Sequence, residues 1–435
     1  MSNKRIFTLV IVLALAVGCV FALSSCMYVA EIVTDTDTSE NTNTPSGGSG
    51  SNTPAGPTSG SGSGQDTTDT QNGLVFHPDA STDGTNASPD AKAILSTVAI
   101  DTRFDILGSY PYYEQVTEYT SFSSGVIYKL DKEKGDAYII TNYHAVYNKG
   151  EVAVGGFSDS ITLYLYGMQQ DQYGIPAKVI GGSLTHDLAV LKVEGSEVLK
   201  NSMACEADLG NSEAVRVLDE VMVIGNPEGF GFSITEGTIS VESEKLSMTG
   251  ADGRTSVTLR VMRTSAAIND GNSGGGLYSV SGELVGIVCA KRTGSEVDNF
   301  GYAIPINLAV KLAENIIRNC DGENNFSLKK CIIGIEVDVA SSGLVTDSEG
   351  NLIIIEQAYV SSVETYCITD KLKVGDIITA MTIDGKRTEI TRSYMVSESL
   401  IDAIAGSSVI ISVNRNGETF DISLTLPDSC VTIIK

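Results

Sequence analysis

The sequence predicts a mainly β protein with one clear helix, and two observations support this. From about Ala93 onward, short runs rich in β-branched and aromatic residues alternate with polar turns. In the same region, an apolar face at helical spacing stands out at residues 307–319. Many short strands at regular spacing are typical of a β-sandwich or a β-barrel. The clearest predicted strands are residues 96–100, 125–130, 137–141, 160–166, 188–193, 220–224, 256–262 and 284–290.

Length, charge and cysteine spacing narrow the functional class. The chain has 435 residues, of which 42% are hydrophobic, enough for the cores of two or three domains. Its formal net charge of −25 argues against binding nucleic acid or anionic lipid through charge. The cysteines lack the paired spacing of a metal site, so no metal or cofactor is expected. Most cysteines are expected to be buried free thiols, with a disulfide between Cys320 and Cys331 as the alternative.

Residues 1–26 have the pattern of a lipoprotein signal peptide. Two basic residues precede a mostly apolar run, and Leu23-Ser24-Ser25-Cys26 resembles a bacterial lipobox, in which the cysteine is lipidated. Cleavage before Cys19 and an uncleaved N-terminal anchor are the alternatives. Each places the rest of the chain outside the cytoplasm, at the bacterial cell surface or in the periplasm.

The composition of residues 27–92 predicts a disordered tether. Serine, threonine, glycine, aspartate, asparagine and proline dominate the segment, including the run Ser59-Gly60-Ser61-Gly62-Ser63-Gly64. Such a composition cannot bury enough apolar surface to offset the entropy of ordering. The tether would hold the following domains away from the membrane.

Three segments carry residues suited to nucleophilic catalysis. His144 follows an apolar β-rich run, Asp187 precedes another, and Ser273 lies in the glycine-rich stretch Asn269-Asp270-Gly271-Asn272-Ser273-Gly274-Gly275-Gly276. A serine hydroxyl needs an adjacent base and donors for the oxyanion, and glycines allow backbone N–H groups to point into one hollow. The order His, Asp, Ser is that of chymotrypsin-type proteases. His77 lies in the low-complexity segment, and His186 is read as structural or solvent-exposed.

These segments together resemble the HtrA (Deg) family of secreted serine proteases. Thr141-Asn142-Tyr143-His144-Ala145-Val146 is similar to the family's histidine motif. Asp187-Leu188-Ala189-Val190-Leu191-Lys192-Val193 is similar to its aspartate motif, and Ala266-Ala267-Ile268-Asn269-Asp270-Gly271-Asn272-Ser273-Gly274-Gly275 to its serine motif. Further similarity lies at Ile224-Gly225-Asn226-Pro227, Thr235-Glu236-Gly237-Thr238-Ile239-Ser240 and Gly301-Tyr302-Ala303-Ile304-Pro305-Ile306. The resemblance covers roughly residues 93–427.

The resemblance implies both a fold and a mechanism. Residues 93–322 would form a trypsin-like domain of two six-stranded barrels, with His144 and Asp187 from the first barrel and Ser273 from the second. Ser273 would be the nucleophile, His144 the general base and acid, and Asp187 the group that orients the histidine. The N–H groups of Gly271 and Ser273 would form the oxyanion hole. Family members are commonly trimers.

The same resemblance places Ile268, Lys291 and Arg292 in the pocket for the substrate side chain. Family members usually have apolar residues there and cleave after small aliphatic side chains. Lys291 and Arg292 depart from that pattern, which leaves the preferred side chain open.

Residues 331–427 resemble a PDZ domain. Ile332-Ile333-Gly334-Ile335 is similar to the carboxylate-binding loop, so Ile333, Gly334 and Ile335 would hold the C-terminus of a peptide. Residues 399–405 would form the helix beside the peptide groove, and residues 409–414 and 419–426 the closing strands around an Asn-Gly turn. A small β domain without a ligand is the alternative.

The sequence therefore predicts a lipid-anchored, extracytoplasmic serine endopeptidase that degrades misfolded or damaged exported proteins. Two alternatives stay open, because fold does not fix function. One is a regulatory protease that cleaves a single signalling substrate. The other is a non-enzymatic holdase that binds peptides on the same fold.

Overall fold

The computed structural model describes residues 87–110, 113–229, 231–292, 300–319, 328–348 and 350–434. The predicted signal peptide, most of the predicted tether, Cys19, Cys26 and Cys320 lie outside these ranges. Within them, no helix is both long and apolar enough to cross a membrane.

Six antiparallel strands close into a first barrel in the order β1-β2-β3-β6-β5-β4. Side chains alternate between core and solvent along these strands, as the pleat requires, and Ile161, Leu163 and Leu165 of β4 all point inward. Three short helices lie around the barrel: α1 (Pro89–Leu95), α2 (Tyr143–Val146) and α3 (Glu197–Lys200). The strands are β1 (Thr97–Tyr110), β2 (Tyr113–Asp131), β3 (Asp136–Thr141), β4 (Ser160–Leu165), β5 (Ile175–Ser183) and β6 (Leu188–Val193).

A second closed barrel follows, in the order β10-β11-β12-β9-β8-β7. Its interior is filled by small and branched apolar side chains, among them Val223, Ile239, Leu277 and Val288. The strands are β7 (Glu220–Gly225), β8 (Ser233–Thr249), β9 (Ser256–Thr264), β10 (Gly276–Ser279), β11 (Leu284–Arg292) and β12 (Phe300–Pro305). The two barrels confirm the predicted mainly β, chymotrypsin-like architecture.

Helix α4 (Ile306–Asn319) packs across both barrels. It contacts β5 and β6 of the first barrel and β11 and β12 of the second. Leu308, Leu312 and Ile316 recur at helical spacing and are almost fully buried. The helix predicted at residues 307–319 is therefore present at nearly the same bounds.

The C-terminal region is a separate β structure. One sheet has the order β14-β15-β16-β18-β19, with β17 paired to β16, and β13 pairs with β20 in a two-stranded sheet. Asn416 and Gly417 have φ angles of 53° and 92°, the left-handed conformations of a two-residue type I′ hairpin turn. The elements are β13 (Leu328–Cys331), β14 (Ile335–Thr346), β15 (Leu352–Val363), β16 (Ile377–Ile383), β17 (Lys386–Glu389), α5 (Tyr394–Ser399), β18 (Ser408–Arg415), β19 (Glu418–Thr425) and β20 (Val431–Ile434).

Two predicted boundaries were wrong. The tether predicted to reach residue 92 overlaps α1, which begins at Pro89 because Ser88 caps it and a proline suits the first helical position. The helix predicted at residues 399–405 lies earlier, at α5. Beyond α5, the Ile401 carbonyl accepts a 2.8 Å hydrogen bond from Asn315 Nδ2 of α4, which ties the segment after the helix to α4.

Candidate active site

His144 and Asp187 are brought together by strand pairing. Strand β3 runs antiparallel to β6 with Thr141 opposite Ala189, so the residues after β3 lie beside those before β6. His144 therefore emerges on α2 next to Asp187, which has a left-handed φ of 50° at the end of a 3-10 turn. The ring Nδ1 lies 2.8 Å from Asp187 Oδ2 and 3.0 Å from Oδ1.

Asp187 is buried and held from both sides. Its Oδ1 accepts a 3.1 Å hydrogen bond from the backbone N–H of His144, and its carbonyl accepts a 2.9 Å hydrogen bond from Asn142 Nδ2. Burial alone would lower the pKa of His144, but the Asp187 charge and hydrogen bond outweigh it, so that pKa is raised. A carboxylate in this position favours the tautomer that carries its proton on Nδ1 and leaves Nε2 as a base.

Ser273 reaches the same cleft from the second barrel. It lies on the loop between β9 and β10, and its carbonyl accepts a 2.8 Å hydrogen bond from the N–H of Ser124 on β2. The carbonyl of Ser124 in turn accepts a 2.7 Å bond from Thr141 Oγ1, three residues before His144. Among the described residues, Ser273 Oγ makes no hydrogen bond to His144; such bonds are often long without substrate.

The hydroxyl of Ser124, on β2 of the first barrel, bonds to two loops of the second barrel. Its Oγ donates a 2.7 Å hydrogen bond to the Gly271 carbonyl and accepts a 2.8 Å bond from the N–H of Asn226. All three groups are buried. Ser124 therefore connects β2, the loop after β7 and the Ser273 loop.

Two glycines let the Ser273 loop take its shape. Gly271 and Gly274 have φ angles of 96° and 84°, which disfavour side chains. A Cβ on Gly274 would collide with the Ser124 carbonyl and Thr141 Oγ1. Within the described part of the chain, no group accepts a hydrogen bond from the N–H of Gly271 or of Ser273.

His186 has polar contacts with residues close to it in the sequence and lines a groove together with Lys330. Its Nδ1 lies 2.8 Å from Ser183 Oγ and 3.1 Å from Thr185 Oγ1. Burial, helped by the charge of Lys330, lowers the pKa of His186 to about 4. The structure thus pairs Asp187 with His144 and leaves its sequence neighbour His186 in a local polar contact.

The predicted substrate pocket is only partly described. Ile268 is buried in the second-barrel core, and Gly301 approaches it so closely that a Cβ on Gly301 would collide with the Ile268 side chain. Lys291 and Arg292 end β11, where they pair with Gly301 and Phe300. Their side chains lie outside the described part of the structure.

A groove of about 630 Å³ lies between the C-terminal sheet and the second barrel. Its lining includes Ile333, Ile335, Val337 and Val396 of the C-terminal region and Thr258 of β9 in the second barrel. Gly334 has a φ of 78° and packs against the backbone of Cys367, so a Cβ at Gly334 would lie 2.6 Å from Cys367 Cα. Of the three predicted carboxylate-binding residues, Ile333 and Ile335 line the groove, and Gly334 lies between them in the sequence.

Sequence reasoning missed Ser124. Thr141 and Asn142 stand within the histidine motif, but Ser124 lies in a serine-rich run with no distinguishing signal. Its role depends on contacts with residues 102 and 147 positions further along the chain, which no local pattern reveals. Cys289, Cys331, Cys367 and Cys430 are free thiols, as expected for most cysteines.

Comparison with known proteins finds a matching family model and several similar sequences. The family model for the trypsin-like peptidase domain matches residues 123–287. The serine protease Do-like HtrB of Bacillus subtilis is 31% identical over 313 residues, which cover 70% of this chain and 61% of that protein. The serine protease Do-like HtrA of Lactococcus lactis subsp. cremoris is 31% identical over 324 residues, covering 71% of this chain and 72% of that protein.

The chain matches only about 61% of the length of the two Bacillus subtilis relatives, HtrB and HtrA. A solved structure of the HtrA-type protease AlgW with a decapeptide is 24% identical, with a TM-score of 0.49, and the match covers 78% of this chain and 98% of that one. On the sequence relatives, the chain belongs to the HtrA (Do-like) family of serine proteases.

Proposed function

We propose that this protein is a serine endopeptidase in which Ser273, His144 and Asp187 form the catalytic triad. One observation carries the proposal: the His144–Asp187 pair lies beside a glycine-rich serine loop that Ser124 and Thr141 hold in place. The family membership reported above supports the same chemistry.

The proposed reaction proceeds through an acyl-enzyme. Ser273 Oγ attacks the scissile carbonyl carbon and passes its proton to His144 Nε2, while Asp187 stabilises the imidazolium. His144 then protonates the leaving amine, and a water molecule releases the acyl group from Ser273 by the reverse proton transfers. Within the described ranges, no cluster of three or more His, Cys, Asp or Glu residues could hold a metal ion.

The oxyanion of the tetrahedral intermediate would be held by the N–H groups of Gly271 and Ser273. Both N–H groups lack acceptors among the described residues, and the positive φ of Gly271 supports their pointing into one hollow. Removing one preorganised donor of this kind lowers turnover by about 10²- to 10³-fold. Ile268, Lys291 and Arg292 would line the adjoining side-chain pocket.

We propose misfolded or damaged exported proteins as substrates, and an extracytoplasmic location. The signal-like residues 1–26, with lipidation at Cys26, support the location. A relative from Escherichia coli, 28% identical, is named a periplasmic pH-dependent serine endoprotease. Mass spectrometry of the mature N-terminus would find a lipid-modified Cys26, and a modified Cys19 or an intact leader would contradict that site.

We also propose that residues 331–427 form a PDZ domain that binds C-terminal peptides. The buried Ile333, the left-handed Gly334 and the open edge of β14 support a carboxylate-binding loop next to a strand that can accept a peptide. A homotrimer is proposed from the family, and sedimentation analysis of the full chain would test it.

The activity is tested by Ser273→Ala. Loss of a triad member lowers turnover by about 10⁴ to 10⁶, so casein hydrolysis by the variant should fall to background. Unchanged far-ultraviolet circular dichroism would show that the fold is intact. Near-normal hydrolysis by a folded Ser273→Ala protein would refute the assignment.

A further inference from the structure

Strand β14 forms an open edge of the C-terminal sheet. It is the terminal strand in the order β14-β15-β16-β18-β19 and pairs only with β15 among the described elements. Its first residues, Ile335, Val337 and Val339, line the groove at alternate positions. The proposed peptide ligand would therefore add its own strand along this edge, with its carboxylate at Gly334.

The same edge continues well past the groove. β14 and β15 each have 12 residues, but β15 pairs with β16 only at Tyr359, so the distal half of the hairpin extends as a two-stranded arm. We call residues 341–346 and 352–357 the β-arm. Nearly every side chain on it is exposed or half-buried.

A β-bulge sets which side chains of the β-arm share the groove face. Val339 lies opposite Ala358 but Ser341 lies opposite Gln357, so Ala340 is an extra residue that reverses the alternation. Beyond the bulge, Leu344 rather than Val345 continues the stripe that begins at Ile335. Glu356 is on this face and lines the groove, which agrees with the reversed alternation.

The groove face of the β-arm is apolar and uncovered. Leu344 lies opposite Ile354, and Leu352 is the next residue on that face. These three side chains are 66%, 38% and 61% exposed. A two-stranded ribbon is only marginally stable alone in water, and a contiguous exposed apolar patch marks a binding surface.

We propose that the β-arm is a second part of the ligand site and binds the upstream residues of an extended, apolar C-terminal tail. The inference rests on the proposed peptide-binding function of residues 331–427. At about 3.3 Å per residue, a strand with its carboxylate at Gly334 would reach Leu344 about eight residues before its end. The ligand class is thus a C-terminal segment of about ten residues, such as an unfolded chain exposes.

Continuity with the groove favours a peptide over a second copy of this chain. Val339 and Glu356 line the groove, and the stripe of Leu344, Ile354 and Leu352 follows on the same face without a turn between them. An added strand would turn the ribbon into a three-stranded sheet. It would also cover Leu344 with a cross-strand neighbour.

The test uses the full chain carrying Ser273→Ala, so that peptides are not cleaved. Binding is measured by fluorescence anisotropy for a tetrapeptide ending in valine and for two twelve-residue peptides with the same last four residues. One long peptide has leucines at alternate positions six to ten residues before the end, and the other has serines there. The leucine peptide should bind at least about tenfold tighter than the tetrapeptide, and the serine peptide within about threefold of it.

Two substitutions locate the effect. Leu344→Asp should reduce the affinity for the leucine peptide to that for the tetrapeptide. The affinity for the tetrapeptide should stay unchanged, which would also show that the domain is folded. The matched control, Val345→Thr, lies on the opposite face of the β-arm and should leave the advantage of the leucine peptide within about threefold.

The outcomes separate this inference from the function on which it rests. Equal affinities for all three peptides would overturn the β-arm site but keep the groove. Absence of binding by any peptide would overturn both. A concentration-dependent association of the full chain that Leu344→Asp abolishes, with equal peptide affinities, would assign the β-arm to a second copy instead.

Discussion

At the residue scale, the pKa values of the two described histidines should be shifted in opposite directions. His144 faces Asp187, whose charge and hydrogen bond raise its pKa above the usual 6.5 against the effect of burial. His186 is buried near Lys330, and its pKa is lowered to about 4. Because only a neutral His144 can accept the Ser273 proton, activity should rise with pH through a midpoint above 6.5.

The histidine pKa values can be measured directly, since the chain has only 3 histidines. In a proton NMR titration of the Ser273→Ala protein, the imidazole of His144 should titrate with a midpoint above pH 6.5. The imidazole of His186 should still be neutral near pH 5. Asp187→Asn removes the group that raises the His144 pKa while burial remains, so that pKa should fall. A rise, or no change, would contradict the proposed pairing.

The hydroxyl of Ser124 should matter more than that of its neighbour. Ser124→Ala leaves the Gly271 carbonyl and the Asn226 N–H without their buried partner, at a cost of about 1–3 kcal/mol of folding free energy. It should also lower kcat about tenfold or more, because the serine loop loses an anchor. Thermal unfolding and peptide hydrolysis measure the two effects.

Ser123→Ala is the matched control. Ser123 is equally buried, but its Oγ has no hydrogen-bond partner among the described residues. Its removal should change stability and kcat little. Equal losses for the two variants would show that Ser124 does not act through these contacts.

At the element scale, α5 is tied to the second barrel by a buried ion pair. Arg260 of β9 lies 2.6 Å from Glu398 and 3.2 Å from Glu213, and its guanidinium stacks 4.0 Å from the Tyr394 ring centroid. Both partners are largely buried, with side-chain exposures of 9% for Arg260 and 13% for Glu398. Burial raises the pKa of Glu398, although the Arg260 charge opposes that shift.

Breaking this pair should be costly, whereas replacing it should not. Glu398→Gln leaves the buried Arg260 with only Glu213, so it should destabilise the fold by about 3–5 kcal/mol. The double variant Arg260→Met, Glu398→Met removes both charges and should recover much of that loss. Chemical denaturation of the three proteins measures the difference.

The exposed ion pair of Lys200 and Glu197 provides the control for Glu398→Gln. These side chains also lie 2.7 Å apart, but Glu197 is 74% exposed, so Glu197→Gln should cost less than about 1 kcal/mol. If Glu398→Gln cost no more than Glu197→Gln, α5 would not depend on the Arg260 contact for its position.

At the scale of the whole molecule, individual strands were predictable because alternating apolar residues are a local pattern, whereas their arrangement in two six-stranded barrels followed only from the family resemblance. In the C-terminal sheet, the Asn416-Gly417 turn has the two positive φ angles that its residues favour. The start of α1 at Pro89 was missed because the polar composition before it resembles the tether. The position of α5 was also missed, and the segment after it is tied down by a residue 86 positions earlier, because Asn315 donates a hydrogen bond to the Ile401 carbonyl.

Some residues of the candidate site were likewise predictable from the sequence, and others were not. His144, Asp187 and Ser273 stand in recognisable motifs, and the pairing of β3 with β6 brings the first two into contact. Ser124, the Arg260–Glu398 pair and the reversed face of the β-arm depend on contacts between distant segments or on a bulge. No sequence window contains that information.

The central claim is that His144 activates Ser273 for nucleophilic attack, and covalent labelling tests it most directly. The full chain would be treated with a fluorophosphonate, an electrophile that phosphonylates activated serines, and the modified residue identified by mass spectrometry of its peptides. The account predicts one adduct, on Ser273, that forms at least about 10³-fold more slowly in His144→Ala and at a near-normal rate in His186→Gln. An adduct on another serine, or equal labelling of Ser273 with and without His144, would contradict it.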